Sequence, residues 1–249
     1  DPLLSFPYTL RGNTVALVSN ASGLFGLPNA RPVAALPPLE GKAIILKTFA
    51  GVDAIPIVLD SGHTNEMVET ISAMAGTFGA VCLEDIAAPR SLLVTALPEQ
   101  ALTIPVVNNH QEIVGIGTLA ALINAAKVVG KKLEALKVVI HGAGAAAMGL
   151  VDLLYAIGVE DVVVCDYYGA LTPFRLVDMN WVKRTLAKRT NRRRRDGTLA
   201  EMLQGADAYV GFSGRGELTP DMIKTMAKDP IVFAFSAPDP EILPADAEK

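Results

Sequence analysis

The stretch VVIHGAGAAAMGLVDLLYAIGVEDVVVCD, from Val138 to Asp166, sets two apolar runs around a glycine turn and closes on an acid. VVIHG and DVVVCD are short and almost continuously apolar, as strands covered on both faces should be. The alanine-rich segment between them reads as a helix. Gly142-Ala143-Gly144-Ala145-Ala146-Ala147 fits the pattern G-x-G-x-x-A. Its first glycine allows a tight turn, and its second lets a pyrophosphate approach the backbone. The small third position lets the helix pack closely on the strand. Free N–H groups at the start of that helix, around Ala145 and Ala146, would then hold the phosphates. Asp166 falls roughly 20 residues further on, at the end of the second strand, where a carboxylate can accept hydrogen bonds from an adenosine ribose.

Outward from this unit, short β-rich runs alternate with helical ones along the whole chain. TVALVS (14–19), IPIVLD (55–60), AVCLED (80–85) and IPVVNN (104–109) read as strands. The segment 33–51 reads as mainly helical, and 64–77 reads as a helix with Thr64 at its N-cap. An irregular, Pro-containing link is expected between the third and fourth strands. A long apolar helix from about Gly117 to Val129 then meets the polar GKKLEALK, where the composition changes and a domain boundary is placed. The expected fold is α/β with two domains. Residues 131–249 form a Rossmann-type, doubly wound parallel sheet, and residues 1–130 form a smaller N-terminal α/β domain.

At 249 residues, 51% of them hydrophobic, and with a mean hydropathy of +0.36, the chain can bury a sizeable core. Its 22 basic and 26 acidic residues give a formal charge of −4, which offers no broad footprint for nucleic acid or an anionic membrane. A small molecule is the expected partner. No apolar run approaches the ~20 residues of a membrane span. The opening DPLLSFPYTLRGN lacks the basic and apolar regions of a signal peptide. Cys82 and Cys165, each inside a strand-like run, read as reduced, packed thiols of a cytoplasmic protein. The run Arg192-Arg193-Arg194-Arg195 reads as a solvated loop, with a 2′-phosphate site as the other reading. An acid at 166 favours NAD over NADP, while Tyr167 and the arginine run leave NADP open.

Candidate chemistry lies in the first half. Glu84-Asp85 ends a strand, a position from which adjacent carboxylates can coordinate a divalent ion or simply face solvent. Lys42 sits in the otherwise apolar segment EGKAIILKTFAG, where desolvation would make it a usable general base, unless it snorkels to water at the helix edge.

Taken in order, these segments resemble the prokaryotic malic enzymes. The likeness runs through RGNTVALVS, ALPPLEGKAIILKTFAGVDAIPIVLD, TFGAVCLEDIAAP, VVIHGAGAAAMG, GTLAEMLQGADAYVGFS, LTPDMIKTMAKDPIVFAF and PDPEILP. It implies oxidative decarboxylation of malate to pyruvate and CO2, with NAD or NADP and with Mg2+ or Mn2+, in a homodimer. By position it makes Lys42 the base that takes the malate hydroxyl proton. It makes Glu84 and Asp85 two of three metal ligands, with His110 at the third. Gly142, Ala143, Gly144, Ala145, Ala146, Asp166 and Ser213 become the nucleotide contacts. The metal would lower the energy of the alkoxide during hydride transfer and then of the enolate.

The chain departs from the family pattern at several of these places. His110 replaces a carboxylate, an exchange better suited to Mn2+, Fe2+ or Zn2+ than to Mg2+. Gly26-Leu27-Pro28-Asn29 stands for Gly-Leu-Gly-Asn, Ser213-Gly214-Arg215-Gly216 for Ser-Ala-Pro-Gly, and Ser236-Ala237-Pro238 for Ala-Asn-Pro. Relative to the family, the chain begins after the segment with a Tyr general acid and stops before the C-terminal helices. Two other readings follow: a catalytically degenerate homologue that binds nucleotide only, and another two-domain Rossmann dehydrogenase that needs no metal.

Overall fold

Apolar, β-branched runs become parallel strands, and the chain gathers them into two sheets in two compact units, Asp1–His110 and Gln111–Lys249. The computed structural model describes residues 1–24, 27, 29–99 and 102–248. Gly26 and Pro28 lie outside the described residues.

In the first unit α1 (Ser5–Tyr8) leads into β1 (Thr14–Ser19). There follow α2 (Leu36–Ala50), β2 (Asp53–Val58), α3 (Thr64–Met74), β3 (Ala80–Leu83), α4 (Arg90–Glu99) and β4 (Val106–Asn108). The sheet order is β2-β1-β3-β4, and every pair is parallel. Ala16, Val18, Val81, Leu83 and Val106 of the strands bury one face with Met67, Ile71 and Val94 of the helices. Leu17 buries the other with Leu39. Chain direction across the sheet reverses between β1 and β3, so the C-terminal ends of these strands open a crevice.

Two local expectations change here. The link between β3 and β4 contains the helix α4, which Pro89 and Pro98 at its two ends disguise. Its Leu92, Val94 and Thr95 are buried. Thr64 is the first residue of α3 rather than its cap. Ser61 takes over near that end, its hydroxyl accepting from the His63 N–H at 3.0 Å and donating to Glu66 at 2.6 Å.

The second unit runs through α5 (Val114–Val128), β5 (Lys137–His141), α6 (Ala145–Ala156), β6 (Asp161–Asp166) and β7 (Gly169–Ala170). It continues with α7 (Trp181–Arg189), α8 (Leu199–Leu203), β8 (Ala208–Gly211), α9 (Pro220–Lys224), β9 (Ile231–Ala234) and α10 (Pro244–Ala247). Its sheet order is β7-β6-β5-β8-β9, parallel except for the antiparallel edge strand β7. The reversal between β5 and β8 is the topological switch point of a Rossmann-type sheet.

The units divide at 110/111, not at 130/131 as the change in composition suggests. The long helix α5 belongs with α6, because Gly115, Thr118, Leu122 and Ala126 form a buried stripe along it. A Cβ on Gly115 would lie 3.2 Å from the Gly149 and Leu150 backbone, and one on Gly149 only 2.0 Å from the Gln111 carbonyl oxygen. Polar GKKLEALK is therefore a surface connection inside the second unit, where Lys131 pairs with Asp207 at 2.8 Å. Among the described residues no helix is long and apolar enough to cross a membrane.

Candidate active site

In the second unit, β5 ends at His141 and the chain turns at Gly142, whose φ of +112° is closed to L side chains. A Cβ there would stand 2.5 Å from the Phe212 carbonyl oxygen, so the turn presses directly on the chain leaving β8. Gly144 then caps α6 in extended backbone, and the N–H groups of the first turn have no intrahelical acceptor. The structure thus places Gly142, Ala143, Gly144, Ala145 and Ala146 together at the switch point, with Ser213 on the neighbouring strand end.

Ser213 is held by two residues that the sequence reading left aside. Its N–H donates to Glu241 at 2.9 Å, and its hydroxyl meets His141 Nδ1 at 3.0 Å. Glu241 is fully buried and also accepts the Ser236 N–H at 3.2 Å and the Ser236 hydroxyl at 2.6 Å. One carboxylate therefore ties together the chain leaving β8 and the chain leaving β9. His141 is 3% exposed and lies at the node. Its Nδ1 also meets the Tyr209 hydroxyl at 3.2 Å, and its Nε2 meets Glu217 at 3.2 Å. The available signal was position: a histidine directly before the glycine turn, and the glutamate of PDPEILP.

Burial lowers the His141 pKa, outweighing the upward pull of Glu217, Glu241 and Asp166. Because the folded value lies below the unfolded one, the unfolded chain binds the proton more readily. Stability from the neutral imidazole is complete above about pH 6.5, the unfolded histidine value, and falls as pH drops from there toward the lowered value. The denaturation midpoint of the native sequence is expected to decline through this window. In His141→Asn, which keeps a polar partner for Ser213, that decline should be smaller. Equal slopes in the two proteins would remove His141 from this role.

Asp166 ends β6 and is 8% exposed. Arg175 grips it with both terminal nitrogens, one at 2.7 Å, while Lys183 stands at 2.8 Å and the Tyr168 N–H donates at 2.9 Å. Burial alone would raise its pKa. The hydrogen bonds from Arg175, Lys183 and Tyr168 overcome that and hold it below the usual carboxylate range. The arginine run lies at the opposite end of the same strand. Arg195 pairs with Asp161 at 2.5 Å, Arg192 with Glu160 at 2.9 Å, and Arg194 lies over the Phe174 ring. A strand of this length separates its ends by roughly 17 Å, so the run is out of reach of a ribose beside Asp166.

In the first unit, Glu84 and Asp85 follow β3, and His110 follows β4, at the C-terminal edge of the sheet. Lys42, on α2, is 31% exposed and ion-paired with Glu84 at 2.6 Å, not enclosed in apolar surroundings as its segment suggested. Glu84 is 4% exposed and its second oxygen accepts from the Cys82 thiol at 3.1 Å. Asp85, at a φ of +47°, meets His110 Nε2 at 3.1 Å. Of the three expected metal ligands, Asp85 and His110 thus pair with each other, while Glu84 pairs with Lys42. Among the described residues no group of three or more His, Cys, Asp and Glu side chains is placed to hold a metal ion. As arranged, the donors do not fit a divalent cation, because one carboxylate is committed to an ammonium and the other to an imidazole. Cys82 and Cys165 are thiols and not disulfide-bonded, and burial pushes the Cys165 thiol up to about 12, which leaves it neutral and inert.

A five-stranded switch-point sheet with a glycine turn at its centre defines a Rossmann-type nucleotide-binding unit. The family described as "Malic enzyme, NAD binding domain" matches residues 113–248, nearly the whole of this unit. The chain belongs to the malic enzyme family. It is 45% identical over 244 residues to the bifunctional malic/malolactic enzyme of Bacillus subtilis (strain 168), spanning 98% of this chain and 60% of that protein. With the NAD-dependent malic enzyme of Geobacillus stearothermophilus it shares 41% over 248 residues, 100% of this chain and 52% of the relative. The crystal structure of the NAD-dependent malic enzyme from Thermotoga maritima superposes with a TM-score of 0.95 at 38% identity, covering 100% of this chain and 66% of that one. The chain therefore spans between half and two thirds of the length of these proteins.

Proposed function

We propose that this chain carries the nucleotide-binding and proton-transfer parts of a malic-type oxidoreductase. In this reading malate gives a hydride to NAD or NADP, and the resulting oxo acid loses CO2 to yield pyruvate. The observation that carries it is the agreement between the family match at 113–248 and the turn at Gly142 that only glycine can make. The turn and the start of α6 bind the pyrophosphate, and Ser213, fixed by Glu241 and His141, faces the dinucleotide at the end of β8.

Lys42 takes the hydroxyl proton of malate. Its contact with Glu84 at 2.6 Å fixes where the Lys42 amine stands. To bind Mg2+ or Mn2+, Glu84 and Asp85 would have to release Lys42 and His110. The homodimer implied by the resemblance and the cytoplasmic location read from the two cysteines belong to the same proposal.

The test is malate-dependent reduction of NAD and NADP, with pyruvate measured as product. Lys42→Ala should lower kcat by about 10²–10⁴-fold, the usual contribution of a positioned base, while NADH affinity stays within about twofold. Equal turnover by native and Lys42→Ala chains would remove the lysine from the mechanism. A folded chain that binds NADH and leaves malate unchanged would be the degenerate homologue instead.

A further inference from the structure

Resting on the dinucleotide reading above, we propose that Glu217, acting through His141, fixes the Ser213 hydroxyl as a hydrogen-bond acceptor toward the ligand, so that Ser213 takes a donor of the nicotinamide riboside and not a phosphate oxygen. Glu217 and His141 are then positioning residues, and neither needs to touch the dinucleotide.

Glu217 lies between β8 and α9, and one of its carboxylate oxygens meets His141 Nε2 at 3.2 Å. A carboxylate only accepts, so the imidazole proton belongs on Nε2. The other tautomer would set the Nε2 lone pair against the carboxylate. Burial holds the ring neutral by lowering its pKa, which leaves Nδ1 with a lone pair and no hydrogen. Two hydroxyls approach that lone pair, Ser213 at 3.0 Å and Tyr209 at 3.2 Å. Where Ser213 donates to Nδ1, its one hydrogen is used. Where Tyr209 takes that place, the Ser213 hydrogen has the Glu241 carboxylate at 3.4 Å, again an acceptor only. In either arrangement the hydrogen points into the protein, and a lone pair of Ser213 is left for the ligand. Phosphate oxygens accept and cannot pair with a serine turned this way. Ribose hydroxyls and a carboxamide NH2 can. Ser213 follows β8, across β5 from β6 and its Asp166, so it stands on the side of the switch point away from the adenosine half.

The tautomer is read from the long-range proton–nitrogen NMR spectrum of the whole native chain at about pH 8, above the range in which an ordinary histidine titrates. The chain has 3 histidines, and the ring signals missing in His141→Asn are those of His141. The proton should lie on Nε2, and a proton on Nδ1 would overturn the proposal. The consequence is read by calorimetric titration with NADH and with ADP, which lacks the nicotinamide riboside. Ser213→Ala removes the acceptor, and Glu217→Gln releases the tautomer because its amide can donate as well as accept. Each should weaken NADH by about three- to tenfold, the worth of one hydrogen bond, and leave ADP within about twofold. Adding Glu217→Gln to Ser213→Ala should weaken NADH no further, since Glu217 then has no hydroxyl to orient. A Glu217 that acted only through its charge or through stability would keep its effect in the Ser213→Ala chain, and that result would overturn the proposal. Binding of neither NADH nor ADP would overturn the dinucleotide reading, and the ligand named here with it, whatever the nitrogen spectrum shows.

Discussion

Gly142→Ala is expected to cost about 3 kcal/mol of stability and to weaken NADH binding by about tenfold or more. At a φ of +112° a methyl group meets its own backbone, and the position it would occupy lies 2.5 Å and 2.7 Å from the Phe212 carbonyl oxygen and carbon. Neither side can retreat easily. The Gly142 N–H donates to the Cys165 carbonyl at 2.9 Å, and the Phe212 N–H to the His141 carbonyl at 2.7 Å, so the turn and the chain opposite are both sewn to the sheet. Relief must come from moving the turn, which displaces the amides proposed to hold the pyrophosphate. Chemical denaturation gives the first quantity and a fluorescence titration the second. Native-like stability with native-like affinity would mean that the turn is free to relax.

Glu241→Ala should be nearly as damaging, at about 3 kcal/mol, because several donors at the ends of β8 and β9 lose their acceptor at once. The carboxylate serves the Ser213 and Ser236 N–H groups and both hydroxyls from a fully buried position, and Gly211 leaves it room, since a Cβ there would stand 2.4 Å from its Cδ. The hydroxyls can turn to other partners, but the backbone N–H groups cannot. Glu241→Gln should fall between native and Glu241→Ala: its carbonyl keeps one acceptor, while its NH2 meets a donor. Denaturation midpoints in the order native, Gln, Ala would support the clamp. A Glu241→Gln chain as stable as native would show that one oxygen suffices.

Strand positions and the glycine turn were legible because they rest on local chemistry: continuous apolar runs, and a backbone conformation that only glycine adopts. The helix α4 was not, since Pro89 and Pro98 at its ends look like loop punctuation while its buried Val94 and Leu92 have meaning only against the sheet. The unit boundary was misplaced for a related reason. Surface polarity at GKKLEALK is a local property, whereas the union of α5 with α6 depends on Gly115 and Gly149 meeting across a distance in sequence. Pairings of charge were the least legible of all. Lys42 with Glu84, Asp85 with His110, and Arg175 and Lys183 with Asp166 each follow from side-chain reach in the folded units. His141 and Glu241 converge on Ser213 from separate strand ends, and neither has a neighbour in sequence that announces it.

The most direct test of the central claim, that the second unit holds a nicotinamide dinucleotide at its switch point, is a crystal structure of the chain grown with NADH. The pyrophosphate should lie against the amides of Gly144 to Ala146, with the rest of the molecule along the C-terminal ends of β5 and β8. A dinucleotide bound away from those strand ends, or a saturated crystal without one, would contradict it.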